Sequence, residues 1–225
     1  LALPQCFTWN IGQMATSEAA LAQAACILYA YRRCPTNGPD HADAQATWAI
    51  GRAASMILGA ILAGGQARRF GSDKAHALYQ GARLIDLVLA ALTAQCGRVI
   101  MCGREEPEFV CIPDWPAPQQ GPLGGLAAAL RYAQAHGFTH VLSAGVDVPD
   151  LPHDCAAILA GDGAAIIASQ PVVGLWPVAT GGALEVFMAR GGRSLYRFAD
   201  AVAARRVTLL APLMNVNRPE DLPSA

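Results

Sequence analysis

Residues 62–74 gather the groups that an anion site needs. The run reads Leu62-Ala63-Gly64-Gly65-Gln66-Ala67-Arg68-Arg69-Phe70-Gly71-Ser72-Asp73-Lys74. Gly64, Gly65 and Gly71 permit positive φ and close backbone approach, so successive N–H groups can converge on anionic oxygens. Arg68 and Lys74 add full charges to those dipoles. Lys74 is the single lysine among 16 basic residues, and a compact ammonium is not interchangeable with a guanidinium fork. The run is neither a G-x-x-x-x-G-K-[ST] loop nor a G-x-G-x-x-G turn. Asp147, which follows the apolar run 139–144, stands where an Asp often forms a turn. Asp114, in Ile112-Pro113-Asp114-Trp115, reads from its own context as a loop cap. The chemistry these groups suit is the neutralisation and positioning of phosphates. No Ser-His-Asp or Cys-His set stands out, and His136 and His140 straddle a helix–strand junction rather than forming a ligand pair.

These residues need a scaffold that brings segments far apart in sequence to one place. Met56-Ile-Leu-Gly-Ala-Ile-Leu-Ala63 is a short apolar run ending in two glycines, as expected of a strand buried on both faces. Further strands are predicted over 98–102, 109–112, 139–144, 164–168, 172–178 and 207–210. Helices are predicted over 84–94, 123–136, 153–160, 182–189 and 194–204. This alternation predicts an α/β fold, a Rossmann-like, doubly wound and mainly parallel sheet, with ligands beyond the carboxyl ends of its strands. The glycine-rich run then occupies the first strand-to-helix connection.

Four ordered motifs resemble those of molybdenum cofactor guanylyltransferases, the MobA-like family of the nucleotidyltransferase superfamily. They are the run from Leu62 to Lys74, the turn Gly121-Pro122-Leu123-Gly124-Gly125, Asp147 before Val148-Pro149, and Asn215-Val216-Asn217-Arg218-Pro219-Glu220-Asp221-Leu222. The resemblance covers about residues 56–225. It implies the nucleotide-diphospho-sugar transferase type of fold and transfer of GMP from GTP to molybdenum-loaded molybdopterin, with pyrophosphate released. It also implies Mg²⁺ on Asp147, and Lys74 and Arg68 on the triphosphate. Nucleotide contacts are implied for Leu62, Ala63, Gly64, Gly65, Lys74, Asp114, Gly121, Pro122, Leu123 and Asp147. Asn215 and Asn217 are further candidates, though Asn217 with Glu220 also reads as a helix capping box. Two positions depart from the family pattern. Met101 falls where an Asn often contacts the nucleotide, and Gln170 where a His is common. Trp115 and Trp176 read as core or pocket walls, with Trp176 near enough to a strand end to border the pterin.

Composition bounds the alternatives. Charged residues are 15% of the 225 and the net charge is −1, which gives no electrostatic footprint for nucleic acid or an anionic membrane. Seven cysteines, odd in number and without a C-x-x-C pair, point to a reducing cytoplasm. The apolar stretch 19–31 falls short of the ~20 residues a bilayer span needs. Residues 1–55 carry helix-prone stretches over 17–33 and 41–54 but no chemical motif. They are therefore expected to be an N-terminal appendage to a nucleotidyltransferase domain spanning 56–225. Competing readings are a cytidylyltransferase acting on the same pterin, a sugar-1-phosphate nucleotidyltransferase, and a GTP-binding relative without activity. Leu62-Ala63-Gly64-Gly65 favours guanine, because cytidylyl relatives usually carry Ala in place of the first Gly. Transient contact with cofactor-delivery or molybdoenzyme partners is the remaining expectation.

Overall fold

The computed structural model describes residues 56–64, 74–217 and 221. Residues 1–55, with their expected helices and the appendage reading, lie outside the described residues, as do Gly65 and Arg68. Among the described residues seven strands form one sheet, in the order β5-β4-β1-β6-β8-β7-β9. They are β1 (Ile57–Leu62), β4 (Arg98–Cys102), β5 (Cys111–Ile112), β6 (His140–Gly145), β7 (Ala165–Ile167), β8 (Gln170–Pro177) and β9 (Arg205–Val207). Only β8 runs against the rest, antiparallel to both β6 and β7. Its direction follows from chain length: two residues separate it from β7, whereas a parallel return needs a crossover of a dozen or more.

Among the described residues five α-helices cover the sheet: α1 (Leu84–Thr93), α2 (Pro122–Ala135), α3 (Cys155–Leu159), α4 (Gly181–Ala189) and α5 (Leu195–Ala201). The strands are apolar on both faces because both faces are covered. Leu58, Ala60, Leu62, Ile100 and Cys102 pack against α2, α4 and α5. Ile61, Met101, Leu142 and Ala144 pack against α1 and α3. Trp176 is fully buried; its indole donates to Ser143 Oγ at 3.0 Å and stacks on Phe198. It pairs with Val141 near the start of β6, so it is a core residue far from the carboxyl edge and does not border a ligand site there.

Element boundaries differ from the sequence expectation where pairing or a turn decides them. The strand expected over 109–112 shortens to Cys111–Ile112, and that over 207–210 becomes Arg205–Val207, set by pairing of Ala165 with Arg205 and Ile167 with Val207. The helix expected to reach Ala204 ends at Ala201, ahead of Ala203 at φ +52°. The pattern also left unread a 3₁₀ turn over Lys74–His76 and a small ribbon, β2 (Leu78–Tyr79) with β3 (Ala82–Arg83). Gln80 at φ +51° and Gly81 at φ +83° make its tight connection.

Candidate active site

Strand register brings the candidate residues to one edge. Leu62 pairs with Cys102 on one side and Gly145 on the other. The residues that follow, Ala63-Gly64, Gly103 and Val146-Asp147, therefore leave the sheet together. A side chain at Gly145 would collide with Asp147 Oδ1, so glycine is what lets the chain fold back and present that carboxylate. The Asp147 carbonyl accepts from Val216 N–H at 3.0 Å, and the Asp150 carboxylate accepts from Met214 N–H at 3.0 and 2.9 Å. These clasps hold residues 214–217 across the edge, with Val216 buried against Leu84.

Lys74, after the 65–73 connection, reaches the same place. Its Nζ lies 3.4 Å from Asp147 Oδ2 and 3.5 Å from Asn217 Oδ1. The lysine side chain is 14% exposed and the aspartate 25%. A pair this long and partly hydrated is weak, so both charges remain able to engage an incoming ligand. Behind Lys74, His76 bonds Glu106 Oε1 at 2.9 Å, and Arg104 pairs with the same carboxylate. The hydrogen bond from His76, assisted by Arg104 and opposed by burial, holds the Glu106 carboxyl below its ordinary range. This strut joins the lysine segment to the loop after β4.

Asp114 occupies a different setting. It is 7% exposed, and its Oδ1 has no hydrogen-bond partner. Burial raises its pKa, against two backbone hydrogen bonds from Gln120 and Gln119. Glycines make the room. A Cβ on Gly103 would stand 2.6 Å from Asp114 Oδ1 and 2.7 Å from the Gly64 backbone, and one on Gly64 would stand 3.1 Å from both carboxylate oxygens. Gly124, in the first turn of α2, abuts the Asp114 side chain from below. Leaving a buried carboxylate oxygen unpaired costs stability, so Asp114 is suited to receive donors from a ligand.

The other candidates sort by position. Ala63 and Gly64 are half-buried at the β1 end, next to this cradle. Leu62 and Leu123 have core side chains, so only their backbone is available to a ligand. Gly121, at φ +64°, precedes α2 and Pro122 starts it, the first-turn position where a missing N–H is harmless. Asn215 is exposed beside the clasp. Asn217 N–H donates to Asp221 Oδ2 at 2.7 Å, so an acid four residues on accepts it, while the Asn217 side chain turns to Lys74. Met101 is fully buried in the core; the strand-end residue beside Asp114 is Gly103, which sequence reasoning missed. Its place as a glycine directly after the apolar run 98–102 was the signal for it. Gln170 opens β8 and is half-exposed. Trp115 is exposed, with the Arg131 guanidinium 4.1 Å over its ring.

A sheet of this order, with one reversed strand and its charged residues on the carboxyl edge, is that of nucleotidyltransferases of the nucleotide-diphospho-sugar transferase fold. Solved structures agree: molybdopterin-guanine dinucleotide biosynthesis protein A of Archaeoglobus fulgidus superposes with TM-score 0.58 at 21% identity, over 73% of this chain and 94% of its own. The 2-C-methyl-D-erythritol 4-phosphate cytidylyltransferase of Thermus thermophilus superposes with TM-score 0.54 at 16% identity, over 73% and 93%. Residues 59–207 match the MobA-like NTP transferase domain, and the chain belongs to that family. The molybdenum cofactor guanylyltransferase of Rhizobium leguminosarum bv. trifolii (strain WSM2304) is 36% identical, over 79% of this chain and 94% of its own. That of Acidiphilium cryptum (strain JF-5) is 35% identical, over 76% and 94%.

Proposed function

We propose that the chain transfers GMP from GTP to molybdenum-loaded molybdopterin, giving the guanine dinucleotide cofactor and pyrophosphate. The observation that carries this reading is the unpaired Oδ1 of Asp114 within its glycine cradle. Guanine presents N1–H and an exocyclic N2–H₂ side by side, two donors for one carboxylate. Cytosine offers a donor beside an acceptor and would leave an oxygen facing a lone pair. Names of the relatives support the same choice of nucleotide.

In this reading the guanine sits by Asp114 and the triphosphate runs along the β1 end toward Lys74 and Asp147. A phosphate oxygen of the acceptor attacks the α-phosphorus in line. The new P–O bond forms as the α–β bridge bond breaks, and pyrophosphate carries away the electron pair. The attacking phosphate is already ionised, so no residue has to remove a proton. Lys74 holds the phosphate oxygens in place and offsets charge as the bridge breaks. Arg68 is assigned the same task from the 65–73 connection. Asn217 keeps the ammonium turned toward the reacting phosphates.

The donor set at Asp147 fits a divalent cation that is shared with substrate. It offers one hard carboxylate oxygen, with the Asn217 amide oxygen sharing Lys74. Among the described residues no cluster of three or more His, Cys, Asp or Glu could form a complete protein cage. That suits Mg²⁺, which takes one or two carboxylates and completes its shell with substrate phosphates and water. When bound, it supplies neutralisation of phosphate charge.

We further assign the catalytic unit to residues 56–225, the location to the cytoplasm, and delivery or hand-over of the pterin to transient protein contacts. Among the described residues no helix is long and apolar enough to cross a membrane. The decisive experiment is a nucleotide panel with Mg²⁺ and loaded acceptor, read as pyrophosphate release. GTP should dominate; equal turnover of CTP would overturn the assignment, and tight GTP binding without release would favour a non-catalytic relative. Removing residues 2–55 should leave transfer intact, and a soluble but inactive product would reject the proposed boundary.

A further inference from the structure

A second charged surface lies outside this site, where α4 ends and α5 begins. Arg190, Arg193 and Arg197 line an open groove of about 370 Å³ together with Phe187, Gly192 and Ser194. Three guanidinium groups within eight residues is a steep concentration in a chain of net charge −1. No acid occurs between Glu185 and Asp200, and both of those are engaged elsewhere. Glu185 accepts from Arg131 at 2.8 Å, and Asp200 from Arg206 at 2.7 Å. Arg193 spends one nitrogen on the carbonyls of Met188 and Gly192, at 3.3 and 2.9 Å. Among the described residues, the guanidinium groups of Arg190 and Arg197 have no acceptor.

The groove also has an apolar base. The half-buried Phe187 ring packs on Phe198, with centroids 5.6 Å apart. Gly192 lies so close to Phe187 that a side chain there would strike the ring, which keeps the turn tight and its arginines near the aromatic surface. The Tyr196 hydroxyl donates to the Ala168 carbonyl at 3.0 Å, tying the start of α5 to the carboxyl end of β7. Since β7 runs in the same direction as β6, the groove lies toward the same side of the sheet as Asp147.

We propose that this groove docks an acidic segment of a partner protein. Guanidinium forks pair carboxylates bidentately, and three of them distributed along a groove match successive acids on a strand of peptide. The apolar base receives an interspersed aliphatic side chain. The groove is open rather than enclosing, which suits an extended chain better than a small anion. The surface extends the functional reading to protein contacts, and its test needs neither nucleotide nor turnover, so either conclusion can fail alone.

The probe is a fluorescein-labelled octapeptide of Glu and Asp around one Leu, followed by fluorescence anisotropy. Saturable binding that weakens with added salt is expected. In R190Q/R197Q, which keeps the carbonyl bonds of Arg193, affinity should fall by about tenfold or more. The circular dichroism spectrum and guanylyl transfer to free acceptor should be unchanged. R190K/R197K should recover binding only in part, because the charge returns without the fork. Equal affinity for wild type and R190Q/R197Q would put the peptide elsewhere and overturn the proposal, as would no binding at physiological salt. Full competition by inorganic phosphate at concentrations matching the peptide would make the groove a small-anion site and overturn it equally.

Discussion

Asp114 and Asp147 leave the same edge of one sheet, yet their surroundings are opposite. Asp114 is nearly dry, pressed by glycines from three segments, and holds an oxygen with no partner. Asp147 is a quarter exposed and shares a long ion pair with Lys74. A buried carboxylate that lacks a donor is costly to keep, and the cost is relieved only by a ligand with matching donors. A half-hydrated carboxylate is cheap to keep and exchanges partners readily. On the proposed assignment, recognition of the base and handling of phosphate charge sit in two environments, each suited to its own task.

Substitutions should separate the two. The largest effect is expected for Asp147→Ala: Mg²⁺-dependent pyrophosphate release should fall by about a hundredfold or more, while GTP binding without acceptor falls less. Retained turnover would erase the division of labour drawn here. Asp114→Asn should weaken GTP binding by about 1.5–3 kcal/mol and flatten the preference over CTP, measured by calorimetry with each nucleotide. The same variant should unfold no more easily than wild type. Burial raises the Asp114 pKa, so the folded state favours the proton and a stability penalty grows as pH rises past the ordinary carboxylate range. Asn lacks that penalty, so urea titrations at low and neutral pH should show its relative stability improving with pH.

Lys74→Ala should lower transfer by more than about tenfold with the fold intact, and Lys74→Arg should restore it only in part. The smallest effect belongs to the strut behind Lys74. The Glu106 carboxyl is held low chiefly by its His76 hydrogen bond, so its contribution is present above the ordinary carboxylate pKa and lost as pH falls through the depressed value. Glu106→Gln should accordingly be less stable than wild type near neutrality and converge with it in acid, as thermal melts across pH would record. Transfer should fall a few-fold as Lys74 loses its backing.

Much of the architecture is written locally. The apolar runs of β1, β4 and β6 announce themselves because both faces are covered, and Gly64-Gly65, one residue past β1, marks the edge to which ligands are assigned. Asp147 is legible for the same reason, as the first carboxylate beyond such a run. What escaped is non-local. The Asp114 cradle exists only because Gly64, Gly103 and Gly124 converge from three connections, and no stretch of sequence states that convergence. Likeness to relatives puts a nucleotide-contacting family position at Met101, whereas that residue lies within β4 and is buried, and Gly103, the first residue beyond the strand, stands at the rim. Glu220, the partner in the capping-box reading of Asn217, lies outside the described residues, while the Asn217 N–H is accepted by Asp221.

The contact of Lys74 with Asn217 joins positions 143 apart in the chain. During vectorial synthesis every sheet strand through β9 leaves the ribosome before the segment that closes the catalytic edge. A nascent chain arrested after Val207 carries all seven sheet strands but lacks Asn217 and the clasp on Asp147, so on the proposed mechanism the parts needed for transfer are complete only after the last strand has emerged.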